Sequence, residues 1–286
     1  MAPPGATRLP FRPPFAAGTL LPFLGSRAIS GVEEVADGAY RRTVRIEDEP
    51  TIVTLSPTAN HVELSVTDSD AGPALQRTAR DAFDLDAEPT VIDAALSADP
   101  ALAPLVAARP GLRVPGTFDG FELVIRAIYG QQVSVAGART SLGRLATTFG
   151  PPLERPAGGV THLFPSATQV AAIPLESFGM PRTRAATIRR VAELVDAGEL
   201  RLDGTEPAER TLATLAEVRG IGPWTLAYVA MRALGDRDAF IAGDLGVRRA
   251  AAELSLPSSP KELIAHAERW RPWRAYAVIH LWHAGT

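Results

Sequence analysis

The sequence predicts an α+β chain, with a small α/β unit first and an all-helical body after it. Period-two runs of β-branched and apolar residues are confined to about residues 40–70, whereas apolar stripes at helical spacing begin at about 119. Capping boxes at Ser166 and Ser259 fall within the second stretch. The expected division is therefore an N-terminal domain with its linker over 1–112 and a helical domain over 113–286.

Taken in order, Thr43, Val44 and Ile46, then 51–55, then Val62, Leu64 and Val66 supply the alternating positions of half-buried strands. Turn-forming Asp48, Pro50, Pro57 and Asn60 separate them. A helix is expected over about 73–83. Phe121, Val124, Ile125 and Ile128 then form one face of a helix that ends near Gly130, and a second helix is expected over about 134–147. Ser166 with Gln169 and Ser259 with Glu262 read as capping boxes, with Pro260 at a favoured first helical position. Pro272 is expected to open the last helix, which carries Val278, Leu281 and Trp282. There is no internal repeat and no low-complexity segment.

Cysteine is absent from the 286 residues, which excludes disulfides, thiolate zinc sites, a cysteine nucleophile and a cysteine-ligated iron–sulfur cluster. No apolar run reaches the length of about 18 residues that a membrane span needs. Arg8 and Arg12 precede a short apolar stretch at 15–24, but Pro13, Pro14 and Pro22 punctuate it and Arg27 follows with no small-residue cleavage site, so the expected compartment is the cytoplasm. Residues 1–119 hold 10 basic and 16 acidic side chains, while 120–286 hold 19 and 16. A field that attracts a polyanion must therefore be local and lie in the second part. Of the 29 basic residues only Lys261 is a lysine. His61, His162, His266, His280 and His283 are scattered and suggest no metal site.

Residues 212–234 read L-A-T-L-A-E-V-R-G-I-G-P-W-T-L-A-Y-V-A-M-R-A-L, two helices joined by the tight turn Gly220-Ile221-Gly222-Pro223. Glycines flanking one apolar residue let the backbone approach another molecule closely. The amides opening the second helix carry the positive end of its dipole and suit a phosphate. A plain helix–turn–helix corner would look the same. Asp244 follows 19 residues after Thr225, within F-I-A-G-D-L-G-V. By spacing alone it caps the helix starting at Leu245.

With these residues the chain resembles the helix–hairpin–helix superfamily of DNA glycosylases, and within it the bacterial 3-methyladenine DNA glycosylase II or alkylpurine-DNA glycosylase branch. Beyond the hairpin, the resemblance rests on F-L-G-S-R-A-I-S-G-V-E at 23–33, F-E-L-V-I-R-A-I-Y-G-Q-Q-V-S-V-A at 121–136, F-G-M-P-R-T-R-A at 178–185 and E-R-W-R-P-W-R-A-Y-A-V-I-H-L-W at 268–282, and it covers nearly the whole chain.

The resemblance implies an antiparallel sheet in the small domain and an active cleft between helical subdomains. It assigns Asp244 as the catalytic carboxylate, Trp224, Tyr228 and Trp282 as the base pocket, and Phe23 as a further wall. Gln132 falls at the position of a residue that wedges into the duplex, with Gln131 beside it. Gly220, Gly222 and Thr225 would meet the phosphate backbone, and Arg248 and Arg249 would add salt-sensitive attraction or form a solvated helix face. Strand-cleaving relatives carry a lysine where this chain has Trp224, and no lysine lies in 212–249, so the resemblance implies a monofunctional enzyme without AP lyase activity. It also implies a monovalent cation such as sodium on hairpin carbonyls, no other cofactor and damaged duplex DNA as partner; a monomer is expected because nothing in the sequence suggests an association surface. Leu245 and Gln132 depart from the branch, where an aromatic residue and a leucine stand. Arg27 matches a motif position without an assigned task, and Trp270 and Trp273 are expected in the core. The alternatives are a glycosylase for a deaminated or oxidised purine, and a non-catalytic duplex-binding protein that retains the hairpin.

Overall fold

The computed structural model describes residues 6–46, 49–67 and 70–285. The expected turn at Asp48 lies outside the described residues. Strands β1 (Thr7–Pro10), β2 (Glu33–Ala36), β3 (Ala39–Ile46), β4 (Glu49–Pro57) and β5 (His61–Val66) form one sheet in the order β1-β5-β4-β3-β2, and every pair is antiparallel. Alternation decides its faces. Val53, Leu55, Val62 and Leu64 point inward and, with Leu9, Tyr40 and Phe83, form a core beneath helices α1 (Ala17–Arg27) and α2 (Pro73–Ala82). The apolar stretch at 15–24 is thus the body of α1, whose Leu20 and Phe23 are buried against the rest of the protein.

The remaining helices form two groups. In the first, α5 (Gly120–Gly130), α6 (Val135–Phe149), α7 (Ala167–Ala172), α8 (Arg182–Asp196) and α9 (Ala208–Ala216) share one core with Ile29 and Val32. In the second, α3 (Pro89–Ser97), α4 (Ala103–Ala108), α11 (Leu245–Glu253), α12 (Pro260–Ala267) and α13 (Arg274–Ala284) pack around Trp270 and Tyr276. Helix α10 (Pro223–Arg232) belongs to both, since Val229 enters the first core while Ala230 and Met231 enter the second. Packing thus places α3 and α4, which precede the expected 112/113 boundary, with the C-terminal helices. Short helices carrying Ile92, Leu96 and Val106 cannot bury that stripe alone, and the late helices supply its cover.

The caps behave as the sequence indicates. Ser134 accepts from Gly137 N at 3.1 Å, and Ser166 with Gln169 forms a reciprocal capping box. Ser259 caps Glu262 N, although the Glu262 carboxylate returns to the Ser259 hydroxyl rather than to its backbone amide. The last helix begins at Arg274, two residues beyond Pro272. The body is also not all-helical. Strands β6 (Pro152–Ala157) and β7 (Val160–His162) form an antiparallel hairpin, and Gly31 O accepts from Thr161 N and His162 N at 2.7 and 2.8 Å. Its Pro- and Gly-rich sequence reads as loop, and the contact with the first domain makes it a strand pair.

A buried ionic network fastens the sheet to α5. Arg42 Nη2 donates to Glu122 Oε2 at 2.7 Å, and Arg126 Nε donates to Glu122 Oε1 at 2.9 Å. Arg126 also pairs with Glu33, which accepts from the Tyr40 hydroxyl and from Ile29 N. Burial alone would raise the Glu122 carboxyl, but the two guanidiniums outweigh it and hold it below its usual value. Two cations and two carboxylates balance, which is the condition for keeping such groups out of water. Arg126 Nη1 further donates to Arg27 O at 3.0 Å, so the network fixes the end of α1.

Candidate active site

Asp244 precedes α11 with extended backbone, and its Oδ1 accepts from Val247 N at 3.0 Å. It is therefore the helix cap that spacing alone indicated. The same carboxylate accepts two further hydrogen bonds, from Trp282 Nε1 to Oδ1 and from Trp224 Nε1 to Oδ2, each at 2.9 Å. One indole comes from the second residue of α10 and the other from α13, so the two helices that meet at the cleft both grip it. Each indole is a donor only. The carboxylate thus stays fixed by uncharged groups, with its negative charge uncancelled by its own hydrogen-bond partners.

A cavity of about 480 Å³ opens beside it, bordered by Phe23, Arg27, Trp224, Tyr228, Arg232, Asp244 and Trp282, among others. The sequence candidates for carboxylate and pocket therefore converge. Trp224 and Tyr228 stack with ring centroids 5.2 Å apart and planes 11° apart, as their i,i+4 spacing on α10 allows. Tyr228 meets Trp282 at 6.4 Å with tilted planes, and Trp282 stacks on Phe23 at 6.1 Å. Phe23 is only 4% exposed, and Arg27 Cζ lies 3.7 Å from its ring centroid. Phe23 therefore backs the wall, and the guanidinium of Arg27 covers the face that the sequence reading offered to a base.

Arg232 completes this side. It donates to the Tyr228 hydroxyl at 3.1 Å, to Gly116 O at 3.1 Å and to Pro115 O. Burial lowers Arg27 to about 10, with Tyr228 and Asp244 acting against that shift and Arg232 adding to it. Arg27 remains a cation near neutral pH. Leu245, 58% exposed, stands at the rim with Val133 and Val135, both exposed.

The hairpin and the Gln131–Gln132 loop are tied together. Gly220 has φ +97, and a Cβ there would lie 2.4 Å from Thr187 Oγ1, so glycine is required twice over. Thr187 donates to Arg219 O at 2.8 Å and holds the turn against α8. Gln131 Nε2 donates to Gly220 O at 3.1 Å and to Thr225 Oγ1 at 3.2 Å, while Arg184 Nη1 donates to Gln131 O at 2.7 Å. Thr225 is buried, so its side chain holds the loop through Gln131 instead of facing a phosphate. Gln132 is exposed and adopts φ +58, a left-handed conformation that costs a non-glycine residue about 1 kcal/mol.

Two helices joined by a glycine turn, a fixed aspartate and an aromatic cavity between two helical cores are the features to set beside known proteins. Residues 6–119 match the AlkA N-terminal domain, and residues 125–275 match the HhH-GPD superfamily base excision DNA repair proteins. The chain belongs to the HhH-GPD superfamily. It is 34% identical over 283 residues to the Escherichia coli (strain K12) protein named DNA-3-methyladenine glycosylase 2, with 96% of each chain covered. It is 44% identical over 278 residues to a Mycobacterium tuberculosis (strain H37Rv) protein named "Probable bifunctional transcriptional activator/DNA repair enzyme AlkA". That match covers 96% of this chain and 56% of the relative, so the chain spans about half the relative's length. Among solved structures, the 3-methyladenine DNA glycosylase from Archaeoglobus fulgidus shares the fold with a TM-score of 0.82 at 22% identity, with 98% of both chains covered.

In this HhH-GPD chain the other candidates divide. Arg248 Nε donates to Ser258 O at 2.8 Å and ties α11 to the segment before α12, whereas Arg249 is exposed at the cavity rim. Gly220 is exposed and Gly222 half-buried at the start of α10. The hairpin carbonyls of Val218, Arg219 and Gly220 each accept one hydrogen bond, which leaves each a second lone pair. No group of three metal-ligating side chains occurs among the described residues. Trp270 and Trp273 lie in or against the second core as expected. Sequence reasoning missed the tasks of Arg27, Arg184, Thr187 and Arg232. Arg232 was discoverable, because it sits one turn after Tyr228 on the same helix.

Proposed function

We propose that this protein is a monofunctional DNA glycosylase that releases alkylated purines of the 3-methyladenine and 7-methylguanine type from duplex DNA and leaves an abasic site in base excision repair. The observation that carries the reading is Asp244, held by two indoles at the edge of an aromatic cavity. A base inside a duplex cannot reach such a cavity and must be rotated out of the stack. Loss of the base leaves an oxocarbenium-like sugar, and a preorganised carboxylate stabilises that charge as it develops. Asp244 would also orient the attacking water and accept its proton. Trp224, Tyr228 and Trp282 supply faces for stacking.

The remaining parts follow from position. Exposed Gln132 would fill the space of the departed nucleotide and hydrogen-bond its former partner, with Gln131 holding that loop to the hairpin. The first amides of α10, with Gly220 and Gly222, would receive a phosphate, and Arg249 would add attraction. Hairpin carbonyls would take a monovalent cation such as sodium, whose contribution is to link protein and phosphate. The one lysine, Lys261, lies on an exposed face of α12, and no lysine stands in 212–249 to form an imine with the sugar. No described helix is long and apolar enough to cross a membrane. The proposed setting is the cytoplasm, acting as a monomer on the chromosome.

The test is chromatographic release of free bases from methylated duplex DNA by wild type and Asp244→Asn. Release of 3-methyladenine by wild type, abolished in the variant while duplex binding persists, is the expected outcome. Binding without any release by wild type would favour a duplex-binding protein, and release confined to deaminated or oxidised purines would replace the substrate class. A covalent protein–DNA product after borohydride treatment would overturn the monofunctional assignment.

A further inference from the structure

The cavity that receives the base holds more positive than negative charge. Arg27 and Arg232 face it beside Asp244, and Arg249 stands at the rim. Glu33, Arg42 and Arg126 also border its deep end, but with Glu122 they form the balanced set that joins the domains. Arg232 is committed to Tyr228 and two carbonyls. Arg27 is held differently. Its Nη1 donates to Phe23 O at 3.3 Å and to Ser26 Oγ at 3.0 Å, and its Cζ lies over the Phe23 ring, 3.7 Å from the centroid. One face is thus backed by an aromatic ring while the group borders the cavity. A guanidinium plane stacks on a base as readily as an aromatic ring does.

We propose that Arg27 is a specificity-determining residue that reads the charge of the flipped base, weakening the binding of cationic purines and promoting cleavage of cationic and neutral ones alike. The inference rests on the glycosylase reading above. In the reaction the C1′–N9 bond breaks and both electrons go to N9. A 7-methylguanine nucleotide enters with a positive base that leaves neutral, and the proton lost by the attacking water passes to Asp244 and from there to solvent. A hypoxanthine nucleotide enters neutral, its base leaves with a negative charge, and the water's proton ends on that base. Beside a fixed cation, the first substrate binds with repulsion that is relieved as the positive charge moves to the sugar. The second gains attraction only as the bond breaks. Interactions stronger in the transition state than in the ground state raise the rate.

Single-turnover kinetics on duplexes carrying one 7-methylguanine or one hypoxanthine separate these effects, with wild type, Arg27→Gln and Arg27→Lys. For Arg27→Gln on 7-methylguanine, the half-saturating enzyme concentration and the maximal rate should both fall, each by about three- to tenfold. On hypoxanthine the maximal rate should fall about tenfold with half-saturation unchanged. Arg27→Lys keeps the charge and should retain the wild-type ratio of the two rates. Arg27→Gln moving both substrates by one factor, with half-saturation rising, would mean a packing role and overturn the proposal. Wild type that releases 7-methylguanine but no hypoxanthine, or Arg27→Lys that matches Arg27→Gln, would overturn it too. Release of neither base by wild type would instead bring down the glycosylase reading, and this inference with it.

Discussion

Two carboxylates in this protein are gripped with comparable care and to opposite ends. Glu122, fully buried, takes its hydrogen bonds from the guanidiniums of Arg42 and Arg126. Asp244, at the cleft, takes its own from two indoles and a backbone amide. Charged donors cancel a carboxylate's field, and the pair becomes a fastening between domains. Neutral donors fix the group in space and leave its charge to act on whatever enters. The identity of the donors, more than burial, separates the acid that fastens the domains from the one the proposed reaction would use.

The largest expected effect comes from neutralising the reactive acid. Asp244→Asn should lower base release by about 10³-fold in single-turnover assays, because the amide removes the charge and points N–H groups at an indole N–H. Duplex affinity and melting temperature should change little. If the melting temperature instead fell steeply, holding the two indoles would be its main task. Glu122→Gln should do the reverse, costing about 3 kcal/mol of stability by leaving a buried guanidinium underpaired, with the release rate per folded molecule retained. Denaturant unfolding beside the single-turnover assay checks both halves.

His280 sharpens the contrast, since it is buried with neither ring nitrogen partnered. Burial, with Arg109 and His283 nearby, pushes it down to about 4 from an ordinary 6.5. The unfolded chain then binds the extra proton as pH falls below 6.5. Stability should be level above that value and decline toward pH 4 by about 3 kcal/mol from this residue. His280→Leu should flatten the slope in pH-dependent unfolding, and an unchanged slope would assign it to His283, which burial shifts the same way. The smallest effect is expected from Trp282→Phe, which keeps a ring and removes one donor to Asp244. Base release should fall about tenfold, with hypoxanthine and 7-methylguanine affected alike.

Much of this was legible in the sequence because it is local. Strand alternation at Val53 and Leu55, the stripe on α5, the caps at Ser134 and Ser166 and the glycine turn at 220–222 each declare themselves within a few residues. Asp244 was legible as a cap, and its reactive assignment needed the longer motifs. What stayed hidden depends on distant pairing. Nothing near Glu122 announces Arg42, 80 positions away, and nothing near Phe23 shows that Trp282 stacks on its ring or that Arg27 lies over it. The indole hydrogen bonds to Asp244 were invisible for the same reason, so Trp224 and Trp282 read as stacking surfaces alone. The β6–β7 hairpin was missed because its prolines and glycines spell loop, and it is held by distant residues of the first domain, Gly31 through a bridge to Val160, Thr43 on His162 O and Glu34 on Gly159 N.

Helix α10 sits in both helical cores, with Val229 on one side and Ala230 and Met231 on the other. A cleft whose two walls share a beam cannot widen by swinging them apart without breaking one core. Its aperture is set before any nucleic acid arrives. On the proposed function, the distortion needed to carry a nucleotide from a straight duplex to Asp244 would then be borne by the DNA, and sites that bend cheaply would be the sites entered first.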